Sequence, residues 1–158
     1  MGSIPRFVNE AKRPVRQLPM ARARLSVSER IAPMPIIHIS LRTGTPEAYR
    51  QAIFDGLYRA MRETLNVPED DQFMTMSEHD AANFRTGTAY GVARSADVVY
   101  IQITVFDTRT AEQKKALFKR TAELLGKNPG IRPEDVFITI LASAKENWSV
   151  GNGVAQFA

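Results

Sequence analysis

Chemistry in this sequence could begin at Met34-Pro35, which opens the stretch Met34-Pro35-Ile36-Ile37-His38-Ile39-Ser40-Leu41. The stretch reads as a strand, with Ile37, Ile39 and Leu41 on one face and His38 and Ser40 on the other. Translation from Met34 followed by loss of the methionine would leave Pro35 as an N-terminal secondary amine at the mouth of that strand. An α-amino group titrates near about 7.7–8.0 in a model peptide. Burial or neighbouring positive charge lowers that value toward the range of a general base. The plainer alternative is a proline that merely starts a strand, a position proline tolerates.

The elements that must hold such a site come from a repeat. Ile37–Leu41 matches Ile101–Val105 at a shift of 64. Thr45-Pro46-Glu47 matches Thr110-Ala111-Glu112, and Pro68-Glu69-Asp70 matches Pro133-Glu134-Asp135, both at 65. Phe73-Met74-Thr75 then matches Phe137-Ile138-Thr139 at 64 again. Similarity at one offset, slipping by single residues in loops, marks two copies of one unit. Each copy reads strand, helix, strand. In the first, Thr45 is expected to cap a helix with Pro46 at its first position, and Tyr49, Ile53, Leu57, Met61 and Leu65 form an apolar stripe. In the second, Thr110 and Gln113 have capping-box spacing, Leu117, Leu124 and Leu125 supply the stripe, and Gly126 falls at the helix end. Gln72–Ser77 and Val136–Leu141 are the return strands, and Glu78–Asp97 is a long loop or hairpin between the copies.

Right-handed crossovers put both helices on one side of a four-stranded sheet. The other face would carry His38 and Ser40 from one strand and Tyr100, Gln102, Thr104 and Phe106 from another. That mixture is too apolar for open water and too polar for a monomer core, so a symmetric oligomer is expected to cover it.

Composition removes other chemistries. The chain of 158 residues has no cysteine, which excludes disulfides, thiolate catalysis and Cys-ligated zinc. Two histidines, His38 and His79, are too few for a His-only zinc site, and no HExxH spacing or glycine-rich phosphate loop occurs. No apolar run approaches membrane-spanning length. The net charge of +4 is uneven: residues 1–33 hold seven Lys/Arg against two Glu, whereas 34–158 hold 14 Lys/Arg against 15 Asp/Glu. The basic excess belongs to the leader, which argues against a nucleic-acid-binding domain. Residues 1–33, with four prolines and no steady period, read as a poorly ordered arm. A misassigned start is the first explanation for it, ahead of a processed targeting peptide or an extension that packs on a neighbour.

A doubled β-α-β unit beginning at a proline resembles the tautomerase superfamily, and in detail its malonate semialdehyde decarboxylase group. Four segments carry the resemblance: Met34-Pro35, Val67–Asp71 after the first helix, Arg109–Lys114 at the second helix, and Trp148–Gly153 near the end. It implies an α+β fold for residues 34–158, with a four-stranded sheet and two helices on one face, assembled as a homotrimer. It implies a cytoplasmic enzyme without cofactor or metal, performing keto–enol chemistry, or a related decarboxylation or hydration, on a small oxo-carboxylic acid. By resemblance Pro35 matches the catalytic proline, Asp71 the carboxylate beside it, and Arg109 the arginine that holds a substrate carboxylate. Trp148 and Phe157 match residues of the apolar pocket wall. One departure stands out: where the decarboxylase has an Arg-Pro-Arg run, this chain has Asp107-Thr108-Arg109. The first arginine is missing, which puts decarboxylation of malonate semialdehyde in question and leaves carboxylate binding by Arg109. Enolisation needs a base, a cation for the carboxylate and dry walls, and these residue types supply them. A guanidinium suits the second task better than lysine because it pairs in a bidentate way.

Read without the resemblance, Glu69-Asp70-Asp71 is a solvated acidic turn as readily as a site, Arg109 can be plain surface before a helix cap, and Trp148 can be core. His79 reads as a loop histidine, and Tyr90 and Arg94 as possible contributors from the long loop. The rival reading of the whole chain is a non-catalytic scaffold or binding protein. If Pro35 stays inside the chain, its nitrogen is an imide and has no basicity.

Overall fold

The computed structural model describes residues 34–158, so the arm expected over residues 1–33 lies outside the described residues. The elements run β1 (Ile36–Arg42), α1 (Glu47–Leu65), β2 (Phe73–His79), β3 (Val99–Phe106), α2 (Ala111–Lys127) and β4 (Val136–Ser143), with single 3-10 turns at Pro133–Asp135 and Lys145–Asn147. The sheet order is β2-β1-β3-β4. Within each copy the two strands pair in parallel across their helix, and the two copies join antiparallel along β1 and β3. In that central seam His38 faces Gln102, while Ile37 faces Ile103 and Ile39 faces Ile101. The repeat shift of 64 maps the pair His38–Gln102 onto itself, so the local two-fold of the duplication passes through it.

The apolar stripes do what their period requires. Ile53, Leu57, Met61 and Leu65 of α1 and Leu117 and Leu125 of α2 are fully buried against Ile37, Ile39, Ile101 and Ile103. Each such side chain contributes about 1.5–3 kcal/mol of burial free energy. Both helices therefore cover the same face. They approach closely at Gly56, where a Cβ would stand 2.8 Å from Leu125 Cδ2.

The helix starts differ from expectation in one copy. At α2 the capping box forms: Gln113 N donates to Thr110 Oγ1 at 3.2 Å and Thr110 N donates to Gln113 Oε1 at 3.0 Å. At α1 Pro46 is the cap and no side chain caps it. Thr45 is drawn away, its hydroxyl donating to Glu78 Oε1 at 3.3 Å. Gly126 lies in the last turn of α2, as expected, and the strands β2 and β4 each run two residues past the expected Ser77 and Leu141, to His79 and Ser143.

The uncovered face carries Ile36, His38, Phe73, Thr75, Gln102, Phe137 and Leu141, all exposed or nearly so. His38 Nδ1 lies 2.8 Å from Thr75 Oγ1 there. Phe106, expected on this face, is instead fully buried. The C-terminal tail folds back over the end of β3 and takes the ring in.

Candidate active site

Strand direction brings the candidate residues to one end of the sheet. β1 and β2 start there, and β3 and β4 finish there. Ile36 faces Phe73 on one side and Thr104 on the other. One step back along each ladder sets Pro35 beside Gln72 and opposite Val105, with Asp71 and Phe106 the next residues along. Pro35 is buried at this edge.

Asp71 follows a turn whose shape comes from Asp70. That residue sits at φ 71°, in the left-handed region that Asp tolerates better than most. The turn leaves Glu69 and Asp70 exposed and sends Asp71 inward, to 9% exposure. Neither of its carboxylate oxygens has a hydrogen-bond partner among the described residues. Burial pushes this carboxyl up to about 6 from an ordinary value near 3.8. The acidic-turn reading thus holds for its neighbours and not for Asp71.

Arg109 lies in the connection from β3 to α2, held just ahead of the capping box at Thr110. It is half-buried, and its Nε is buried without a partner. Burial lowers its pKa from the usual guanidinium value. It forms no ion pair with Asp71 or with any other described acid.

An aromatic cluster closes the same end. The buried Trp148 meets Phe106 edge to face at 5.2 Å between ring centres, and Phe157 meets the same ring at 5.2 Å. Gln156 pins the tail that delivers Phe157: its Nε2 donates to Gly151 O at 2.8 Å and its Oε1 accepts from Val150 N at 3.0 Å. Gly151 and Gly153, at φ 147° and 67°, permit that closure. Trp148 Nε1 is buried and unpartnered.

Five described residues have buried side-chain N or O atoms with no partner, and three of them, Asp71, Arg109 and Trp148, are at this end. Buried polar groups are normally paired, and clustered exceptions mark functional sites. An acid, a cation and an indole donor against apolar walls can hold and polarise a small carboxylate. Phe106 is the residue the sequence reading misplaced. Its signal was the adjacent apolar pair Val105-Phe106, which breaks strand alternation where the strand ends.

The other candidates fall elsewhere. His79 ends β2 at the opposite end and stacks on Phe84 at 5.9 Å. Arg94 lies over the Phe137 ring at 5.4 Å, with its Nη1 donating to Ala89 O at 3.1 Å. Tyr90 is 90% exposed. None of the three joins Pro35 within one chain. No group of three His, Cys, Asp or Glu among the described residues could hold a metal ion, and no described helix is long and apolar enough to cross a membrane.

One family model, described as a tautomerase enzyme, matches residues 71–151, and a second of the same description matches 35–93. The probable tautomerase YusQ of Bacillus subtilis (strain 168) is 39% identical over 124 residues, covering 78% of this chain and 98% of that protein. The probable tautomerase YrdN of the same organism is 26% identical over 125 residues, covering 78% and 96%. Among solved structures, FG41 malonate semialdehyde decarboxylase inhibited by 3-bromopropiolate superposes with a TM-score of 0.71 at 33% identity, covering 77% of this chain and 93% of that one. A fused 4-OT symmetric trimer shares the fold at a TM-score of 0.64 and 20% identity, covering 75% and 94%.

Proposed function

The chain belongs to the tautomerase family, in its malonate semialdehyde decarboxylase-like group, and we propose that it moves a proton between carbon and oxygen of a small oxo-carboxylic acid. The observation that carries this reading is the meeting, at one sheet end, of the start of β1 with a buried unpartnered carboxyl and a half-buried unpartnered guanidinium.

The roles follow from the chemistry of each group. Arg109 holds the substrate carboxylate, which restores the hydrogen bonds its buried Nε lacks. The Pro35 amine, free once residues 1–34 are gone, takes a proton from the carbon next to the substrate carbonyl. The electron pair of that C–H bond forms the enol double bond, and the carbonyl oxygen gains negative charge. In this reading Asp71, with its carboxyl raised to about 6, donates to that oxygen directly or through water. Phe106, Trp148 and Phe157 keep the site dry and strengthen these contacts. Ketonisation is the same path in reverse.

A homotrimer belongs to this reading. The exposed Phe73, Phe137 and Leu141 on the uncovered sheet face need cover, and fused 4-OT trimers share the fold. Light scattering should return three chain masses; a monomer would remove this part.

The test of the amine compares the 1–158 chain with one beginning at Pro35, each N-terminus verified by mass. The short chain should interconvert the keto and enol forms of phenylpyruvate. The long chain should be slower by about 100-fold or more, the usual worth of a general base. Equal rates, with residues 1–34 shown intact, would leave the binding-protein reading or a mechanism centred on Asp71.

A further inference from the structure

A cleft of about 600 Å³ lies away from the Pro35 end. It lies at the other end of the sheet, where β1 finishes and β3 and β4 begin, and is lined by Leu41, Arg42, Thr43, Tyr49, Asp97 and Val99 among others. The duplication accounts for its place: by strand register, where Ile36 faces Phe73 as Tyr100 faces Phe137, a shift of 64 carries Pro35 to Val99 and Asp71 to Asp135, one residue off the loop match of Asp70 with Asp135. The chemistry has been changed at each step. Val99 is an internal residue with no amine. Asp135 is not free, because its carboxylate accepts from Ser95 N at 2.6 Å and from Ser95 Oγ at 2.8 Å.

Apart from the Asp97 carboxylate, exposed at the rim, what remains uncommitted is cationic and neutral. Arg42 makes no ion pair and no side-chain hydrogen bond among the described residues, and its Nε is buried. The half-buried Tyr49 hydroxyl has no hydrogen-bond partner there either. Burial, then Asp97 and Asp135, raise its pKa, so it stays a donor. Arg132, the other cation on the cleft, is occupied by Ala93 O at 3.1 Å and lies 3.7 Å from Asp135. The helix α1 starts at the cleft rim with no side-chain cap.

We infer that this cleft is a second, non-catalytic binding site for a small carboxylate, held by the Arg42 guanidinium with the Tyr49 hydroxyl donating to the ligand's second oxygen function. The volume accepts a ligand the size of an aromatic acid, and Leu41 and Val99 supply an apolar floor. Asp97, exposed at the rim, disfavours a second negative charge, so the fit is to monocarboxylates over dicarboxylates. Without an amine at position 99 the site binds and does not turn over.

The probe is benzoate, titrated into the full chain while backbone amide NMR shifts are followed. Saturable shifts at Thr43 and Gly44 are expected in the wild type and, unchanged, in Arg109→Gln. Arg42→Gln should weaken those shifts' apparent affinity by about tenfold or more, as loss of a charge-assisted contact does. Tyr49→Phe should weaken it less. Should Arg42→Gln fail to fold, Arg42→Lys keeps the charge but loses the paired contact and is expected to weaken binding in the same direction. No saturable shift at Thr43 and Gly44, equal affinity in the Arg42 variants, or loss of these shifts in Arg109→Gln would each overturn the proposal. The last outcome would mean that benzoate is seen only at the Pro35 end.

Discussion

By strand register Asp71 and Asp135 occupy equivalent places in the two copies, two residues before β2 and one before β4, and each is buried. Asp135 is clamped by two hydrogen bonds from Ser95 and fixes the end of the long loop to the foot of β4. No described residue clamps Asp71. The cations have exchanged places as well. At the Pro35 end the strand finishes in Phe106 and the loop carries Arg109, while at the other end the strand finishes in Arg42 and the equivalent loop position is Gly44, at φ 97°. One fold thus uses the same residue type once for stability and once for reactivity. What separates the uses is whether a neighbour satisfies the buried charge.

Substituting Asp71 tests that contrast most severely. Asp71→Asn is expected to lower turnover by about 100-fold or more if the carboxyl moves a proton. In the wild type, kcat/KM should bend near pH 6, where this group titrates, and the bend should be absent from the variant. Stability should move the other way. The native carboxyl holds its proton to a higher pH than the unfolded one, so native stability falls as pH rises from about 4 to about 6 and stays lowered above that. Asn carries no such penalty. Denaturant melts should show the variant more stable at pH 7, by about 1–2 kcal/mol once water at the site mouth is allowed for, and not at pH 3.5.

A smaller effect is expected from the cation of the same end. Arg109→Ala should cost about 10- to 100-fold in kcat/KM toward carboxylate substrates, with little change in melting, because no described acid pairs with it. Arg109→Lys should recover part of this through charge alone. Unchanged steady-state kinetics in both would remove Arg109 from the site.

Asp135→Asn gives the smallest change in activity and reverses the Asp71 pattern. It keeps one acceptor for Ser95 and loses the other along with the charge. A loss of about 1–2 kcal/mol in denaturant stability is expected, with kcat/KM preserved. A stability change at Asp71 matching that at Asp135 in sign and size would erase the distinction between the two ends.

Most of this fold was readable from the chain. Alternation through Ile37, Ile39 and Leu41, four-residue spacing from Ile53 to Leu65, and repeat segments in matching order specify strands, helices and duplication, because each is a local pattern tied to one burial geometry. The β1–β3 seam and the two helices on one face then follow from connection rules. Long-range competition is where the reading stopped. Thr45 has the type and position of a cap, yet Glu78 from β2 takes its hydroxyl. Phe106 follows strand parity onto the open face, yet a tail some forty residues later covers it. The burial of Asp71 beside the exposed Glu69 and Asp70 depends on one left-handed backbone angle that three acids in a row do not announce. The cleft at Arg42 was not singled out, since an uncommitted arginine is visible only once its surroundings are.

The order of the sheet also shapes the route by which the chain reaches it. Each outer strand pairs with the strand that precedes it across one helix, as Ile36 with Phe73 and Val99 with Val136. Only the middle of the sheet joins residues as distant in sequence as Ile36 and Thr104. Shorter closures form sooner than longer ones. Each half can therefore gather as a unit of its own, which leaves the pairing of β1 with β3, and the seating of α1 on α2 at Gly56, as the longest closure. On such a route the last contacts to form would be those at the centre of the finished protein.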